Sequence, residues 1–461
     1  MDLPFNFSPI FFPIQYTMLI TNFLKLLVFL LRKFTKNSAT ALPGVLLEDY
    51  FPNTLKKMLS VFEKVILVTG TNGKTTTTQM ICHLLEKNNI SYVTNKSGSN
   101  LLRGIASSLL DTTDFWGKPK SKLAIFEVEE GSMRRLVKFV KPQIIVVTNI
   151  FRDQLDAYGE IDKTYRYIQE AVKNSNNPVL ILNGNDARVS SLKKESTNNI
   201  IEIEIAEEYL SQIKIENIEE IDKLIDKKIE SYLIKNIRIN EDLCSTFDIE
   251  GRKGNFYKNI LKVPGLHNAI NAACAILATK QLFNDKSLSL DLSKFEPAFG
   301  RGEIIKVKKS AGEKVIDFQI LLAKNPAGMN LNLHLLKNVK NREAVLILLN
   351  DNTADGKDVS WIWDVDFSLL KNLNFQNIYV SGIRKYDIAL RLKYEGLKFK
   401  SKISAAKSEE GEVTVFESVS DSVESLVKSN YEKVFVLPTY TAMLELRREI
   451  GKYTKVKEMW E

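Results

Sequence analysis

Short apolar runs alternate with longer segments that carry an apolar residue at every third or fourth position, starting near residue 64. The runs are rich in Val, Ile and Leu, as in KVILVTG at 64–70 and KLAIFEVEE at 122–130. The longer segments, such as TTTTQMICHLLEKNN at 75–89, have the period of amphipathic helices. This alternation predicts an α/β fold with a parallel sheet and helices on its faces.

This alternation of strand-like and helix-like segments occurs twice along the chain. Its 461 residues are too many for one ordinary hydrophobic core. The first series ends with PVLILN at 178–183, and a second begins after GRGEII at 300–305. Residues 205–262 are rich in Ile, Lys and Glu with little sheet-like pattern except near their end, and we interpret them as an insertion of uncertain structure. We expect an N-terminal apolar and helical extension at 1–55, a central domain at 56–305 and a smaller Rossmann-like domain at 306–461.

The apolar segment at 10–34 is interrupted by Pro13 and Lys25 and is followed by basic residues. A secretory signal would carry its positive charge before the apolar part, and Lys25 would be costly at mid-bilayer. We expect a helix from near Met18 that packs on the protein or lies at a membrane interface. A helix buried wholly against its own domain is the alternative.

Composition narrows the class of protein. With 44% apolar and 26% charged residues the chain is globular, and its net charge of +8 is scattered rather than gathered into a nucleic-acid arm. Cys82, Cys244 and Cys274 are too few and too far apart for a disulfide framework or a zinc ribbon, so we expect a reduced, intracellular setting and no zinc. Three histidines leave little room for an internal nucleophile relay.

The strongest chemical signal is VILVTGTNGKTTTT at 65–78. An apolar strand runs into a tight glycine turn and then a helix, whose first amides and dipole favour a polyphosphate. Lys74 would place a charge at the terminal phosphates, and the Thr75 hydroxyl would bind Mg²⁺. Val68 stands at the first glycine position of the usual G-x-x-x-x-G-K-[ST] loop. A glycine- and threonine-rich turn without ligand is the alternative.

The GTNGKTTT stretch resembles the ATP loop of the Mur ligase superfamily, enzymes that phosphorylate a carboxylate with ATP and let an amine displace the phosphate. The resemblance implies a P-loop central domain. It also implies ATP contacts from the loop, at Gly70, Thr71, Asn72, Gly73, Lys74, Thr75 and Thr76. Glu127 matches a second magnesium ligand of the family, with a surface acid as the alternative.

Three further matches occur in the family's order along the chain, at 148–162, at 264–271 and at Arg301. PGLHNAIN at 264–271 offers Asn268 and Asn271 to the adenine, and Arg301 in GRGE matches an arginine that reaches toward the phosphates. TNIFRDQLDAYGEID at 148–162 resembles a TN-x-x-x-DHLD stretch, with Gln154 in place of a metal-binding histidine. Taken singly, such residues are more often helix caps or solvated charges.

The C-terminal third resembles the MurT family, subunits of lipid II isoglutaminyl synthase, which amidates the D-glutamate of the peptidoglycan stem peptide. The matching stretches are LAKNPAGMN at 322–330, LNDNTADGKDVSWIWDVDF at 349–367, VSGIRKYDIALRLK at 380–393 and LPTYTAM at 437–443. The lysine and the acid that amino-acid-adding relatives use have no counterpart here, which disfavours an amino acid as nucleophile. Many relatives carry a four-cysteine zinc ribbon in the insertion, and this chain has too few cysteines for one.

The MurT resemblance also implies a partner, a class I glutaminase of the GatD type that forms a heterodimer with the chain. Asp358 matches the acid that completes the partner's cysteine–histidine relay, so Asp358 and Lys74 are the candidate catalytic residues. Alternatively, Asp351, Asp355 and Asp358 cap a turn and the following helix.

The function that this resemblance implies is ATP- and Mg²⁺-dependent amidation of lipid II, or of a related cell-wall precursor, in the cytoplasm or at the inner face of the membrane. Two alternatives stay open. One is a Mur-type ligase that adds an amino acid to a cell-wall precursor or polyglutamate, and the other is an ATP-binding scaffold without catalysis.

Overall fold

The protein is described here from a computed structural model, which covers two sheets and the helices around them. The described residues are 18–26, 42–95, 99–150, 161–196, 199–212, 229–241, 243–283, 287–296, 300–308, 315–399 and 412–456. Gln154 and the rest of 151–160 lie outside them.

The first sheet has nine strands in the order β2-β3-β1-β4-β5-β6-β7-β8-β9. Its strands are β1 (Lys64–Thr69), β2 (Val93–Thr94), β3 (Leu123–Glu127), β4 (Ile144–Val147), β5 (Val179–Asn183), β6 (Ile200–Ile205), β7 (Ile229–Ile239), β8 (Ser245–Gly251) and β9 (Phe256–Leu261). Neighbours from β2 through β7 are parallel, whereas β8 and β9 are antiparallel additions. The parallel sheet that the sequence predicts is therefore confirmed.

Helices cover both faces of this sheet. They are α1 (Leu42–Asp49), α2 (Pro52–Leu59), α3 (Lys74–Lys87), α4 (Leu102–Thr112), α5 (Glu130–Leu136), α6 (Ile161–Asn174), α7 (Ala187–Ser191) and α8 (Leu266–Phe283). Successive residues of β1 alternate between two cores: Ile66 and Val68 join the core that contains α3 and α8, and Val65 and Leu67 join the core on the other face. The central strand is thus buried on both sides, which explains its continuous apolar run.

The insertion at 205–262 contributes sheet. Composition alone predicts little strand there, but β7, β8 and β9 extend the first sheet at its edge. Their outward positions hold Lys and Glu, as in the Lys235–Glu250 ion pair that joins β7 and β8. Because the exposed positions carry long charged side chains, amino-acid composition alone does not reveal the alternation of buried and exposed residues. Residues 213–228 lie outside the described part.

Part of the N-terminal apolar segment forms a helix at 18–26 that packs on the loop after α4. Thr21 and Leu24 are buried, and Lys25 Nζ donates to the carbonyl oxygens of Thr113 (2.7 Å) and Asp114 (2.9 Å). Among the described residues, no helix combines the length and apolar character required to cross a bilayer. Residues 18–26 are therefore helical and packed on the protein, whereas the start of the helix near Met18 and its contact with a membrane interface stay predictions.

The second sheet has six strands in the order β10-β11-β15-β12-β13-β14. They are β10 (Arg301–Lys308), β11 (Val315–Leu321), β12 (Ala344–Leu348), β13 (Asn377–Ser381), β14 (Glu412–Val415) and β15 (Lys433–Pro438), and only the β10–β11 pair is antiparallel. The flanking helices are α9 (Pro326–Leu336), α10 (Ser368–Asn372), α11 (Lys385–Tyr394), α12 (Val419–Lys428) and α13 (Tyr440–Ile450). The second sheet begins at Arg301. The predicted domain boundary between residues 305 and 306 stays a prediction.

Candidate active site

The loop between β1 and α3 has the backbone of a phosphate-binding turn. Gly70 and Gly73 have φ angles of 123° and 87°, which residues with a side chain rarely adopt. A Cβ atom on Gly73 would lie 2.5 Å from Asn271 Oδ1, and one on Gly70 would collide with the Thr148 hydroxyl. Both glycines therefore permit close packing as well as the turn, and Gly73 starts α3 as its N-cap.

The TN pair at the end of β4 fixes this loop from behind. Asn149 accepts from Thr71 N through its carbonyl oxygen (2.9 Å) and from Asn72 N through its side chain (2.8 Å). Asn149 Nδ2 and the Thr148 hydroxyl both donate to the Asn72 carbonyl oxygen, at 2.9 and 2.7 Å. These four hydrogen bonds fix the shape of the loop. The first backbone amides of α3 have no acceptor within the helix, as at any helix N-terminus.

Lys74 is buried and its ammonium is held by the protein. Nζ donates to the carbonyl oxygens of Gly70 and Thr71 and lies 2.9 Å from Glu130 Oε1. Burial and the charge of Glu130 raise the pKa of the neighbouring Glu129 carboxyl. Sequence reasoning missed Glu130, since nothing in the pair Glu129-Glu130 indicates which carboxylate faces the lysine.

Thr75 and Glu127 lie together, as the resemblance implies. The Thr75 hydroxyl donates to Glu127 Oε1 at 3.0 Å, and Asn100 Nδ2 approaches the same oxygen at 3.4 Å. Asn95 holds the Glu127 backbone with two hydrogen bonds of 2.9 Å. A hydroxyl and a carboxylate within hydrogen-bond distance form a hard oxygen pair, so these residues fit a magnesium ion.

Arg301 and the two predicted asparagines lie beside the loop. Arg301 Nη1 donates to the Thr76 hydroxyl at 3.2 Å, and burial lowers the pKa of the guanidinium while Glu127 counteracts this. Asn271 Nδ2 donates to Asn268 Oδ1 at 3.1 Å, and Asn268 Nδ2 donates to the Pro264 carbonyl oxygen at 2.6 Å. Asn271 on α8 lies against Gly73, since a Cβ atom on this glycine would be 2.5 Å from Asn271 Oδ1.

A cavity of about 430 Å³ opens between the two sheets at this point. The predicted residues that line it are Asn72, Gly73, Thr76, Asn268, Asn271 and Arg301, and residues 321–328 form the facing wall. Within the described part of the chain, Asn72 Nδ2 and His267 Nδ1 are buried without a hydrogen-bond partner. Buried polar atoms of this kind are usually satisfied, so their presence in the wall favours a polar ligand.

Asn325 is a second residue that sequence reasoning missed. It is fully buried at the N-terminus of α9, where Oδ1 accepts from Gly328 N at 2.8 Å and Nδ2 donates to Asn72 Oδ1 at 3.3 Å. The available signal is the Asn-Pro pair after an apolar strand, which is typical of a helix start. It predicts the cap but not the contact with the phosphate loop.

Asp358 lies apart from this cluster, outside the residues that line the cavity. It is exposed on the loop after β12, and Oδ1 accepts from Ser360 N at 2.8 Å. Asp355 is buried and accepts from Thr441 N at 2.7 Å, whereas Asp351 lies 3.9 Å from Arg384. The turn-capping contact that was the alternative for Asp358 is therefore present, and it leaves the carboxylate at the surface.

Comparison with known proteins agrees with this arrangement. Residues 68–279 match the family model of the Mur ligase middle domain, and residues 322–443 match that of the MurT ligase C-terminal domain. The subunit MurT of lipid II isoglutaminyl synthase (glutamine-hydrolyzing) from Staphylococcus aureus strain N315 is 33% identical over 374 residues, covering 77% of this chain and 82% of that protein. The subunit of the same name from Streptococcus pneumoniae is 28% identical over 444 residues, covering 91% and 94%.

Solved structures of Mur ligases share the fold. MurF from Acinetobacter baumannii aligns with a TM-score of 0.61 at 17% identity, covering 88% of this chain and 80% of that one. MurF from Thermotoga maritima, crystallised in complex with ADP, aligns with a TM-score of 0.59 at 15% identity, covering 87% and 84%. With the phosphate loop, the second sheet and these matches together, the chain belongs to the MurT family of Mur-type ligases.

Proposed function

We propose that the chain is the ATP-dependent subunit of a lipid II isoglutaminyl synthase. It amidates the α-carboxylate of the stem-peptide D-glutamate to D-isoglutamine, with ammonia from a glutaminase subunit of the GatD type in a heterodimer. The observation that carries the proposal is the cavity between the two sheets, where the phosphate loop and Arg301 face the α9 N-terminus.

The proposed reaction has two steps. The substrate carboxylate attacks the terminal phosphorus of ATP, which forms an acyl phosphate and releases ADP. Ammonia then attacks the acyl carbon, phosphate leaves, and the amide nitrogen loses one proton. Negative charge builds up on the transferred phosphoryl group, and the proposed role of Lys74 and Arg301 is to neutralise it. Lys74 would exchange its present carbonyl and Glu130 partners for phosphate oxygens.

The proposed ATP contacts are the loop residues Gly70 to Thr76, with Asn268 and Asn271 toward the adenine. Thr75 and Glu127 would hold Mg²⁺, which supplies positive charge to the phosphates when it is bound. The proposal requires no zinc.

Ammonia must reach the acyl phosphate without being protonated, because ammonium has no free electron pair. The facing wall of the cavity includes Leu321, Leu322 and Ala323, whose apolar surface would limit water around the acyl phosphate. The proposed role of Asp358 is to orient and charge-stabilise the histidine of the partner's cysteine–histidine pair.

The substrate class places the proposed reaction at the inner face of the membrane, since lipid II is lipid-linked. The helix at 18–26 leaves Leu19, Phe23 and Leu26 exposed on one side. This face is the proposed peripheral contact with the membrane, and the enzyme is otherwise cytoplasmic.

The test is to purify the chain with its glutaminase subunit and measure lipid II amidation with ATP and glutamine. Lys74→Ala is expected to reduce the rate at least 100-fold, the order expected when a group that stabilises transition-state charge is removed. Lys122→Ala is the control, since Lys122 is exposed and pairs with Glu63. Full activity of Lys74→Ala would overturn the proposal, and turnover that needs a free amino acid but no glutamine would favour the amino-acid-adding alternative.

A further inference from the structure

The loop between α4 and β3 is a short hairpin with two aromatic residues at its tip. An antiparallel bridge between Thr113 and Pro119 closes the hairpin. Phe115 and Trp116 at the tip are 62% and 58% exposed, and their rings meet edge to face at 5.7 Å between centroids. A single exposed apolar residue is ordinary, but two adjacent aromatic rings at the end of a hairpin indicate a contact surface.

The helix at 18–26 holds this tip through its polar side chains. Asn22 Nδ2 donates to the Phe115 carbonyl oxygen at 2.9 Å. A Cβ atom on Gly117, in the turn of the tip, would lie 2.9 Å from the Thr21 hydroxyl. Lys25, the charged residue of this helix, donates to two carbonyl oxygens of the same hairpin. The polar groups of the helix therefore face the hairpin, and its outer side is left apolar.

The outer side of the helix continues the apolar surface of the tip. Leu19, Phe23 and Leu26 recur at helical spacing and are 60%, 60% and 56% exposed. Asn22 lies one helical turn from Leu19 and from Leu26, so its contact with the hairpin places the tip beside this stripe. We call Leu19, Phe23, Leu26, Phe115 and Trp116 the N-terminal patch.

The N-terminal patch is large for the surface of a monomer. Each of its five residues is more than half exposed. Together they offer roughly 500 Å² of apolar surface, since an aromatic side chain buries about 150–250 Å². This is near the upper end for the largest apolar patch on a monomer, so the patch requires a partner.

Basic residues accompany the N-terminal patch. Lys118 and Lys120 are exposed on the arm of the hairpin that leads away from the tip. Two acids are nearby: Asp111 is exposed in the last turn of α4, and Asp114 Oδ1 accepts from the Lys118 backbone amide at 2.9 Å. In the sequence, the apolar segment that contains the helix ends in the basic run RKFTK at 32–36. Positive charge beside exposed aromatic rings matches a surface of anionic phospholipid headgroups.

We propose that the N-terminal patch inserts into the headgroup region of an anionic phospholipid bilayer, which deepens the proposed function by adding the hairpin tip and the class of lipid. Tryptophan suits this place because its ring is apolar while its N–H still reaches water or a headgroup. The sequence is apolar on both sides of the described helix, with IFFPI at 10–14 and LVFLL at 27–31. A bilayer takes up an apolar surface of any extent, whereas a protein interface has a polar rim.

The N-terminal patch and the phosphate loop lie at opposite ends of β3. The hairpin leads into this strand at Leu123, and Glu127 ends it beside Thr75. Five residues of strand span roughly 15 Å. A site set back from the lipid-contacting surface fits a carboxylate that is carried on a stem peptide and not on the lipid chain.

The test measures cosedimentation of the purified full chain with vesicles that contain no lipid II. Vesicles of phosphatidylcholine mixed with phosphatidylglycerol present an anionic surface, and vesicles of phosphatidylcholine alone do not. Wild type is expected to bind the mixed vesicles at least tenfold more tightly. Phe115→Ser and Trp116→Ser are each expected to weaken this binding at least tenfold, because one large apolar side chain no longer enters the lipid. Lys118→Gln combined with Lys120→Gln should weaken it about fivefold for each lysine removed, and less at high salt.

Tyr257→Ser is the matched control. Tyr257 is an aromatic residue, 59% exposed, on β9 at the opposite edge of the first sheet from β2 and β3, and its variant is expected to bind the vesicles normally. The melting temperature and the ATP affinity of each variant verify folding. The hydrogen bond from Asn22 ends on a backbone oxygen, so Phe115→Ser keeps the contact between helix and hairpin.

Three results would overturn the inference. The first is that wild type does not sediment with the anionic vesicles, or that Phe115→Ser and Trp116→Ser sediment as wild type does. The second is binding that appears only when lipid II is added to the vesicles, which assigns the affinity to the active site. The third is a dimer in solution that Trp116→Ser dissociates, which gives the N-terminal patch to a second copy of the chain.

Vesicle binding needs no turnover, so the inference and the proposed function fail separately. If binding depends on the N-terminal patch but the complex amidates no lipid II, the proposed function fails and the membrane contact stands. If the complex amidates lipid II in detergent but the chain ignores anionic vesicles, the inference fails and the proposed function stands.

Discussion

Asn325 Nδ2 donates a hydrogen bond to Asn72 Oδ1 over 3.3 Å, so the start of α9 touches the phosphate loop. The same asparagine caps α9 through its other side-chain atom. A second contact joins the two sheets at this place, where Arg301 at the start of β10 donates to Thr76 on α3. Both contacts join the second sheet and its helices to the phosphate loop or to the helix that follows it. ATP binding in the loop and the position of the second sheet should therefore affect each other.

Asn325→Ser tests this dependence. Serine is as good an N-cap as asparagine, so α9 should keep its stability, but its shorter side chain is not expected to reach Asn72. We expect ATP to bind about fivefold more weakly, as for the loss of one hydrogen bond, with little change in melting temperature. Asn325→Ala is the control: it removes the cap as well, at about 1 kcal/mol of unfolding free energy. Unchanged ATP affinity in Asn325→Ser would show that the contact is incidental.

Glu127→Gln tests the proposed magnesium pair. The amide keeps the size of the side chain but removes the negative charge that a divalent cation requires. The Mg²⁺ concentration for half-maximal ATP turnover should rise about tenfold, while turnover at saturating Mg²⁺ recovers in part. Glu63→Gln removes an exposed carboxylate at the opposite end of β1 and should leave the titration unchanged. Identical Mg²⁺ curves for Glu127→Gln and wild type would remove Glu127 from the site.

The sequence predicts the elements that carry the proposed chemistry, because each depends on local pattern. The apolar run of β1, the two glycines and the Lys-Thr pair occupy consecutive positions, so strand, turn and helix follow from one stretch. Thr75 and Glu127 are far apart in sequence. Parallel pairing of β1 with β3 still brings their strand ends together, as the α/β rhythm implies.

The contacts that position these groups are not local, and the sequence alone does not predict them. Asn72 and Asn325 are 253 residues apart, and only the packing of two separate sheets makes them neighbours. Glu130 differs from Glu129 in no property visible along the chain. The start of α5 decides between them, because Glu129 caps that helix through Ser132 N while Glu130 points to Lys74.

Protonation of His267 should make the stability of the protein depend on pH. Burial and the charge of Arg301 lower the pKa of this imidazole to about 4, below its ordinary value of 6.5. The folded chain therefore holds His267 neutral, whereas the unfolded chain takes up a proton first as the pH falls. Above pH 6.5 both states are neutral and no stability is lost; from pH 6.5 down to about 4 stability falls progressively, by up to about 3 kcal/mol.

Comparison of wild type with His267→Gln checks this. Glutamine does not titrate, so the difference in unfolding free energy between the two proteins should change between pH 6.5 and 4, with wild type losing more. Urea denaturation at half-unit pH steps measures it. Parallel curves for the two proteins across this range would mean that the imidazole is accessible to protons in the folded state.

Asp358→Asn tests whether the acid on the β12 loop serves a second active site. Because Asn retains an oxygen that can accept from Ser360 N, the turn should persist and the complex with the glutaminase should still form. The amide, however, neither fixes the tautomer of a partner histidine nor stabilises its charge. Glutamine hydrolysis by the complex should therefore fall by up to about 10⁴-fold, the loss caused by an Asp→Asn change in a serine-protease triad. Amidation with added ammonia should continue, because Lys74 and Arg301 are untouched.

Asp351→Asn, beside Arg384, is the matched control. Glutamine hydrolysis retained in Asp358→Asn would leave this aspartate with only its turn-capping role.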